Sequence, residues 1–414
     1  MTSELPEGWA ATTLGEICSK PQYGWTCRAA KEGKIKYVRT TDISDGGVID
    51  WASVPYCEEA PADVAKYRVT ENDILVSRAG SVGVSFRIVD VPCDAVFASY
   101  LIRFKPLDGI PPKYVEFFLN SDSYWRSISE FSAGIAVPNV NASKLASLVM
   151  PLAPLAEQRR IVAKLEKLLG QVDACQQRLE KLPTLLKRFR QSVLAAACSG
   201  RLTADWREEH DLDDEWPAEP LNEFFEMRNG KSLVATKRQE GKIPVYGGNG
   251  LMGTHNAANA EGLVIVIGRV GAQCGNVHYV TGKVWVTDNA ISLQAKKELV
   301  PAFYAYFLRS LNLNTMSAGT GQPYVSQEIL GPIETPVVSL AEQQEIVRRV
   351  ESLFALADQL ELRLAQARGQ VDKLTPSLLA RAFAGQLVPQ DPNDEPAEIL
   401  LERIKLKGGF HAAR

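Results

Sequence analysis

Side chains that can bind phosphate or read base edges stand beside glycine-rich loop signals in two stretches of this 414-residue chain. The first stretch, residues 1–150, contains Arg39, Thr40, Arg78, Ser81, Arg103, Asn139 and Asn141. The second, within residues 216–335, contains Lys231, Lys242, Tyr246, Asn249, Arg269, Gln273, Gln322 and Tyr324. Arginine, lysine, asparagine and glutamine contact phosphates or form paired hydrogen bonds with bases. We predict that part of this set contacts DNA; the alternative for each residue is an ordinary solvated position.

The same chain lacks the motifs of common catalytic sites. It has no G-x-S-x-G nucleophile turn, and no N-P-P-Y or D-P-P-Y tetrapeptide of the kind that adenine methyltransferases carry. The seven cysteines include no C-x-x-C pair, and the four histidines have no metal-ligand spacing. We therefore predict a noncatalytic chain with no metal or cofactor of its own, whose role is recognition.

An internal duplication organises the sequence. The segment "PLAEQRRIVAKLE" begins at Pro154, and "SLAEQQEIVRRVE" begins 185 residues later at Ser339. The match runs without a gap from 132–203 onto 317–388. Further back, "GKIKYV" at Gly33 pairs with "GKIPVY" at Gly241, and "GSVG" at Gly80 pairs with "GRVG" at Gly268. A period this long indicates a duplicated domain with a helical arm rather than a solenoid.

The two arms carry heptad patterns in the same register. The predicted seam positions are Ile161, Leu165, Leu168, Val172 and Leu179 in the first arm, and Ile346, Val350, Leu353, Leu360 and Leu364 in the second. Cys175 continues the first pattern as a buried small residue. Steps of four and three residues are typical of a coiled coil, so we predict two helices of roughly 40 Å that pair antiparallel. The alternative is a pair of ordinary amphipathic core helices.

Local signals predict where the arm helices begin and end. Ser339 with Glu342 forms a capping box, and Thr375-Pro376 starts a further helix. Pro183 ends or kinks the first helix, and the glycines Gly200 and Gly385 cap the helices that follow. In the first arm, Lys187, Arg188 and Arg190 form a basic cluster. This cluster is predicted to contact phosphate or a partner subunit, or to be a solvated helix face.

These observations predict an α+β fold in which two mixed α/β recognition domains are separated by an antiparallel two-helix coiled-coil spacer. The duplication gives the fold pseudo-two-fold symmetry. The predicted segments are a first domain at 1–150, a first arm at 151–206, a second domain at 207–335, a second arm at 336–406, and a tail at 407–414. A net charge of −3 neither requires nor excludes a nucleic-acid partner. No apolar run reaches membrane-spanning length, and the start carries no signal-peptide pattern, so a cytoplasmic protein is expected.

The order of domain, "PLAEQ" helix, domain and "SLAEQ" helix resembles the specificity subunit of type I restriction–modification enzymes. The segments "LPTLLKRFRQSVLAAACSGRLT" and "IPVYGGNGLMG" followed by "VIGRVG" are similar in style to that family. The resemblance covers nearly the whole chain and implies a noncatalytic, DNA-binding subunit of a phage-defence system. Its implied partners are double-stranded DNA, two modification subunits that methylate adenine with S-adenosylmethionine, and two restriction subunits that use ATP and Mg²⁺.

Two reader domains roughly 40 Å apart suit half-sites about one helical turn, roughly 34–36 Å, apart. Because the domains differ in sequence, we predict a bipartite asymmetric target with a fixed gap. The main alternative from another functional class is a coiled-coil scaffold that joins two protein partners without recognising DNA. A second alternative is the recognition chain of a methylation system that has no restriction subunit.

Overall fold

The protein divides into two compact units in a computed structural model, which describes residues 5–44, 48–132, 139–213, 215–234, 238–271, 273–318 and 323–411. Unit 1 consists of Met1–Arg178 together with Ala367–Arg414, and unit 2 is Leu179–Gln366. Unit 1 is therefore built from two segments that lie far apart in the sequence. The linear domain boundaries proposed above remain a prediction.

Unit 1 begins with short strands arranged in small sheets. The strands are β1 (Ala10–Thr13), β2 (Gln22–Tyr23), β3 (Ala29–Ala30), β4 (Lys36–Val38), β5 (Tyr56–Cys57), β6 (Ile74–Ser77), β7 (Ser85–Arg87), β8 (Ala95–Phe97), β9 (Leu101–Phe104) and β10 (Val149–Leu152). They form the sheets β2-β9-β6-β7 and β3-β5-β4-β8, and the pair β1-β10. The interleaved helices are α1 (Leu14–Ile17), α2 (Val64–Tyr67), α3 (Pro112–Phe118), α4 (Asp122–Ser132) and α5 (Ala142–Ala146).

Helix α6 (Leu155–Cys198) connects the first domain to the second half of the sequence, where the arrangement recurs. The strands that follow are β11 (Ala218–Pro220), β12 (Phe225–Asn229), β13 (Ile243–Gly247), β14 (Gly250–His255), β15 (Leu263–Gly268), β16 (Val277–Thr281), β17 (Trp285–Val286), β18 (Ala290–Ala295) and β19 (Glu334–Pro336). The helices are α7 (Ala204–Glu209), α8 (Leu221–Phe224), α9 (Pro301–Ser310), α10 (Gln327–Leu330), α11 (Leu340–Val371), α12 (Leu374–Phe383) and α13 (Ala397–His411).

The sheets of unit 2 repeat those of unit 1 in topology. The order β12-β18-β15-β16 matches β2-β9-β6-β7, and the pair β11-β19 matches β1-β10. The parallel pair β13-β17 likewise matches β4-β8. Mixed helix and sheet, two copies of one unit and a long central helix confirm the predicted α+β fold and its duplication.

Each unit packs helices onto one sheet around its own aromatic core. In unit 1, the Phe383 ring of α12 lies 5.3 Å from Tyr114 and 5.4 Å from Phe118 of α3. Leu400 and Ile404 of α13 belong to the same buried cluster. The last part of the chain therefore supplies part of the core of unit 1. In unit 2, the end of α6 occupies the corresponding place, because the 185-residue offset sets 374–383 against 189–198, and its buried side chains belong to the same core as α9.

The sequence predicted that Pro183 ends or kinks the first helix; α6 continues through this proline, so the helix does not end there, and a kink remains a prediction. A proline inside a helix costs about 3 kcal/mol, because it removes a backbone hydrogen bond and crowds the preceding turn. Pro183 is exposed, whereas Leu179 and Leu186 on either side pack with Ala357 and Leu364 in unit 2. This packing holds the helix together across the proline.

The buried stripe along the arm helices is narrower than the heptad pattern predicts. Along α6, Val172 and Leu186 are buried, whereas Cys175 is exposed and Leu182 is 38% exposed. On α11, Ala357 and Leu364 are buried and Leu360 is 42% exposed. The prediction that Cys175 is buried is wrong. Along this stretch one of the two heptad positions is therefore covered, and the other is exposed.

Ion pairs show that the arm helices are antiparallel within unit 2. Arg190 on α6 pairs with Asp358 on α11 at 2.7 Å, and Asp205 pairs with Arg349 at 2.6 Å. Higher residue numbers on one side therefore meet lower numbers on the other. The predicted cap glycines are confirmed, since Gly200 and Gly385 have φ of 74° and 69° directly after their helices. Helix α12 begins at Leu374 with Lys373 as its N-cap, so the prediction of Thr375 as N-cap and Pro376 as the first helical residue is wrong.

The repeated "AEQ" tripeptide anchors each arm helix to the domain beside it. In unit 2, the buried Glu342 carboxylate accepts hydrogen bonds from Thr203 Oγ1 (2.8 Å), Arg207 (2.9 Å) and Trp216 Nε1 (3.1 Å). Ser339 Oγ accepts from the Glu342 amide at 3.3 Å, so only this half of the predicted capping box forms. In unit 1, the matching Glu157 accepts from Trp9 Nε1 at 3.0 Å.

Both glutamates thus accept a hydrogen bond from a tryptophan, but only Glu342 also forms a salt bridge with an arginine. Among the described residues, Glu157 Oε1 is buried without a hydrogen-bond partner. Burial raises the pKa of Glu157, and the hydrogen bond from Trp9 opposes this only in part. Glu342 instead has the buried Arg207 guanidinium beside it.

Candidate nucleic-acid interface

In unit 1, Arg78 lies where three loops meet at the end of strand β6. Its backbone N–H donates to Tyr100 O at 2.9 Å, and its carbonyl accepts from the Val140 amide at 3.1 Å. The guanidinium lies 4.8 Å above the centre of the Tyr23 ring, and the Tyr23 hydroxyl accepts from the Ala142 amide at 2.9 Å. The half-buried arginine is therefore held in place by its backbone and by a cation–π contact.

In unit 2, Arg269 occupies the same backbone position after strand β15. Its N–H donates to Asn289 O at 2.8 Å, and its carbonyl accepts from the Val325 amide at 2.8 Å. The next residue in each unit forms an antiparallel bridge, Ala79 with Asn139 and Val270 with Tyr324. The two units thus build one three-loop frame around an arginine.

This register corrects one of the pairings inferred from the sequence. Ser77 N–H donates to Val84 O, and Gly268 N–H donates to Asn276 O, both at 2.8 Å. Ser77 therefore corresponds to Gly268, which pairs Arg78 with Arg269 and moves "GSVG" three residues away from "GRVG". A one-residue difference in loop length hid this correspondence. The pairing of "GKIKYV" with "GKIPVY" is confirmed, because Val38 O and Tyr246 O accept the equivalent amides of Ala98 and Thr287.

Strands β2 and β12 are each followed by a glycine that lies very close to the backbone of another loop. A Cβ on Gly24 would lie 2.2 Å from Ala98 O, and one on Gly230 would lie 2.1 Å from Thr287 O. No side chain fits at such distances, so the position requires glycine. Gly230 is the first residue of the sequence Gly230-Lys231-Ser232, and its lack of a side chain permits this close backbone approach. The segment "GNGLMG" from Gly248 has dinucleotide-fingerprint spacing but forms the hairpin β13-β14 instead of opening a helix.

The frame in unit 2 borders an open cleft of about 490 Å³. Its lining includes Asn249 at the tip of the hairpin, Leu251 and Met252 on β14, Gln273 after β15, and Asn289 before β18. Asn249 and Gln273 belong to the set predicted from the sequence, whereas Leu251, Met252 and Asn289 do not. Leu251 and Met252 are exposed hydrophobic residues on a strand, although their sequence pattern does not distinguish them from core residues.

The structure gives several of the predicted site residues internal partners. Arg103 donates to Gln22 Oε1 (2.6 Å), to the carbonyl oxygens of Arg68 and Lys66, and to buried Asp73. Arg39 pairs with Asp42 at 2.6 Å. These contacts use the guanidinium groups within the domain, yet they do not test a role in DNA binding.

The remaining predicted residues lie at several kinds of position. Asn141 caps α5 by accepting from the Lys144 amide at 2.8 Å, and Tyr246 is half-buried with its ring 5.8 Å from His278. Thr40 begins a 3-10 turn, and Gln322 lies outside the described residues. The exposed members are Ser81, Asn139, Lys231, Lys242, Asn249, Gln273 and Tyr324. The role of the whole set in DNA contact remains a prediction.

In the basic cluster of α6, Lys187 and Arg188 are exposed, whereas Arg190 is engaged. Arg190 pairs with Asp358 (2.7 Å) and Glu361 (3.1 Å), and these hydrogen bonds raise its pKa. Arg190 therefore contributes to the helix pairing in unit 2. Within the described ranges, no group of three His, Cys, Asp or Glu side chains is placed to hold a metal ion. Nor does any described helix combine the length and the apolar character that crossing a bilayer requires.

Comparisons with known proteins agree with this arrangement. A family model described as the type I restriction modification DNA specificity domain matches residues 6–184 and 213–366. The type I restriction enzyme StySPI specificity subunit of Salmonella potsdam is 29% identical over 464 residues, covering 99% of this chain and 98% of that protein. The EcoBI specificity subunit of Escherichia coli is 30% identical over 344 residues, covering 70% and 72%.

Solved structures share the fold. The HsdS subunit from Thermoanaerobacter tengcongensis has a TM-score of 0.66 at 18% identity, covering 93% of this chain and 99% of that chain. A chain from a study of assembly and conformational transition in the type I R-M system reaches 0.71 at 18% identity, covering 93% and 100%.

Two copies of one loop frame, each joined to a helical arm, define a duplicated recognition protein. The family model covers most of the chain, so this protein belongs to the type I restriction–modification DNA specificity family. It is a specificity subunit, as its sequence predicted.

Proposed function

We propose that this chain reads a bipartite, asymmetric DNA target with a fixed gap and positions catalytic subunits on it. One observation carries this proposal: Arg78 and Arg269 hold the same backbone position in two frames whose surrounding side chains differ. A shared frame gives each unit the same way of presenting side chains to a groove. Different side chains then select different bases, so the two half-sites are unlike.

The chain itself is noncatalytic in this proposal, and the chemistry belongs to its partners. Two modification subunits would each flip one adenine out of the helix, one per half-site, and methylate it with S-adenosylmethionine. Two restriction subunits would supply ATP- and Mg²⁺-dependent cleavage. Exposed leucines on the arm helices in unit 2, among them Leu182, Leu185, Leu356 and Leu360, offer apolar area for docking such subunits.

A long-read methylome of the host, with and without this gene, tests the proposal. The expected result is loss of one N6-methyladenine motif that has two unlike halves and a fixed gap. An unchanged methylome, in a host where the partner subunits are expressed and active, contradicts DNA recognition and favours a scaffold that joins protein partners. Detection of the motif in a host that lacks a restriction gene indicates a system that only methylates.

A further inference from the structure

The cleft in unit 2 is built by three loops that glycines bring together. Gly268 leaves room for the hairpin tip, since a Cβ there would lie 2.4 Å from Gly248 O. A Cβ on Gly248 would in turn lie 3.0 Å from Asn289 O. The tip, the loop after β15 and the loop before β18 therefore form one continuous wall. The cleft is a feature of the backbone and not of a single mobile side chain.

Amide groups supply the polar chemistry of the cleft. Asn249 and Asn289 are exposed, and neither side chain hydrogen-bonds to any described residue. Each keeps both its carbonyl and its –NH₂ for a ligand. Gln273 differs, because its Oε1 already accepts from Asn276 Nδ2 at 2.7 Å, which holds this side chain within the loop. An asparagine with both groups free can accept from N6 of adenine while it donates to N7.

The rest of the lining is apolar and uncharged. Leu251 is 63% exposed and Met252 is 55% exposed, side by side at the start of β14. Among the described lining residues none is charged, so the cleft itself offers neither a cation for phosphate nor a guanidinium for guanine. Leucine and methionine are suited to the C5-methyl group of thymine, the one apolar group in the major groove. Amides for adenine and apolar surface for thymine are complementary to a single kind of base pair.

We infer that this cleft reads an A·T base pair in the half-site bound by unit 2, an inference that rests on the proposed function. Asn249 and Asn289 contact the adenine edge, and Leu251 with Met252 contacts the thymine methyl. Unit 1 has different chemistry at the corresponding place. There the segment after Val38 is the 3-10 turn Thr40–Asp42, in which Arg39 is paired with Asp42. The cleft chemistry therefore belongs to one half-site only.

The first experiment uses the full chain, expressed with its partner subunits, and compares methylation motifs. The variant Asn249→Ala with Asn289→Ala removes both free amides. Neither residue has a positive φ, so alanine is compatible with the backbone. The expected result is relaxation at an A·T position in one half of the motif, with discrimination reduced about tenfold or more. Asn222→Ala, an exposed amide on α8, is the matched control and leaves the motif unchanged.

Other outcomes separate this inference from the proposed function. If the motif depends on the gene but the variant reads it unchanged, or relaxes only at a G·C position, the A·T assignment is wrong and DNA recognition stands. If no motif depends on the wild-type gene, the proposed function itself fails. A circular dichroism spectrum equal to that of the wild type shows that the variant is folded.

The second experiment tests the thymine methyl directly. Purified wild-type complex should bind a duplex with uracil in place of that thymine about fourfold more weakly, the factor that burial of one methyl group gives. Leu251→Ala with Met252→Ala should bind the two duplexes equally. Leu263→Ala is the control, because Leu263 is also exposed but lies at the opposite end of β15 from Arg269. Equal binding of thymine and uracil by the wild type overturns the inference.

Discussion

Arg78 and Arg269 differ in surroundings, although the backbone around them is the same, so each should govern one half-site. Replacing either arginine by alanine is expected to lower affinity for the cognate duplex about tenfold or more. The substitution should also abolish the loss of affinity that follows base changes in the half-site of that arginine. Base changes in the other half-site should still weaken binding. The measurement is competition binding of the complex to duplexes with one half-site randomised.

Arg→Lys variants at the two positions separate base reading from phosphate contact. Lysine keeps the charge but loses the paired hydrogen bonds. Loss of specificity with retained salt-dependent affinity indicates base reading. Arg126→Ala and Arg228→Ala change exposed arginines elsewhere in units 1 and 2 and should have no effect. If Arg78→Ala and Arg269→Ala relax the same half-site, the assignment of one half per unit is wrong.

The paired glutamates give a stability prediction with an internal control. Glu342→Gln leaves the buried Arg207 without a carboxylate, which is expected to destabilise unit 2 by about 3–5 kcal/mol. Glu157→Gln keeps an oxygen for Trp9 and removes a charge that has no cation within hydrogen-bonding distance among the described residues, so unit 1 should change by less than about 1 kcal/mol. Hydrogen exchange in urea, read separately for each unit, measures both. Equal losses of stability in the two variants would contradict the proposal that only Glu342 neutralises a buried arginine.

Glu157 also predicts a pH dependence. Because burial raises its pKa in the folded state, folding favours the protonated form. Its contribution to stability is present below the ordinary value of 4.5 and is lost as pH rises through the higher folded pKa. The Glu157→Gln variant should therefore gain stability relative to wild type as pH increases above about 4.5. A constant difference between pH 4 and pH 7 would show that the carboxylate is not protonated on folding.

Residue types and loop signals were enough to select Arg78 and Arg269, because an arginine after a strand and beside glycine is visible in the sequence. They could not show that Arg103 is bound to Gln22 and Asp73, since those partners come from distant strands. Leu251 and Met252 were missed for a related reason. An apolar pair on a short strand usually reads as core, and only the fold shows it exposed.

At the scale of the element, the narrow buried stripe of the arm helices leaves leucines outside. Leu360→Gln should leave the stability of unit 2 nearly unchanged, because this side chain is 42% exposed. If the exposed leucines bind a modification subunit, Leu360→Gln should weaken that association about tenfold, which is the loss expected for a buried apolar contact. Copurification and titration of the partner measure it.

Leu362→Gln provides the matched control two residues further along α11. Leu362 is 63% exposed and points to another side of the helix. It should not affect association. Equal weakening by both substitutions would indicate a nonspecific effect of replacing exposed leucines. No effect of Leu360→Gln would show that the partner binds elsewhere.

The heptad pattern predicted the arm helices well and their termination poorly. Periodicity reports which face is apolar, and this holds over both α6 and α11. Pro183 carries a local signal to stop, but the packing of Leu186 with Ala357 and Leu364 is a tertiary effect that no local signal contains. The same limit applies to Cys175, whose heptad position is right although no partner covers it.

At the scale of the molecule, the proposed fixed gap can be tested through helix length. Inserting seven residues in each of α6 and α11 adds about 10.5 Å of helix, close to three base pairs. If the helices set the separation of the readers, the recognised gap should lengthen or binding should be lost. A methylome of the variant reads the gap directly. The same insertion in the exposed segment Glu208–Asp213 should leave the gap unchanged.

The duplication made the order of elements predictable for the whole chain, since what holds for one half constrains the other. Sequence could not show which segments share a core. Unit 1 closes around α12 and α13, whose ranges begin near residue 374, because Phe383 packs on Tyr114 and Phe118. A linear division into domains cannot express such a return of the chain.

That return sets an order for folding on the ribosome. Unit 2 is continuous in sequence, so it can complete its core as soon as it emerges. Unit 1 begins before unit 2 but lacks Phe383, Leu400 and Ile404 until those residues have been synthesised. At about 5–20 residues per second, the N-terminal sheets would wait roughly 10–50 s for the segments that cover them. The half of the protein made first should therefore be the last to become protected, and the one that depends more on chaperones during translation.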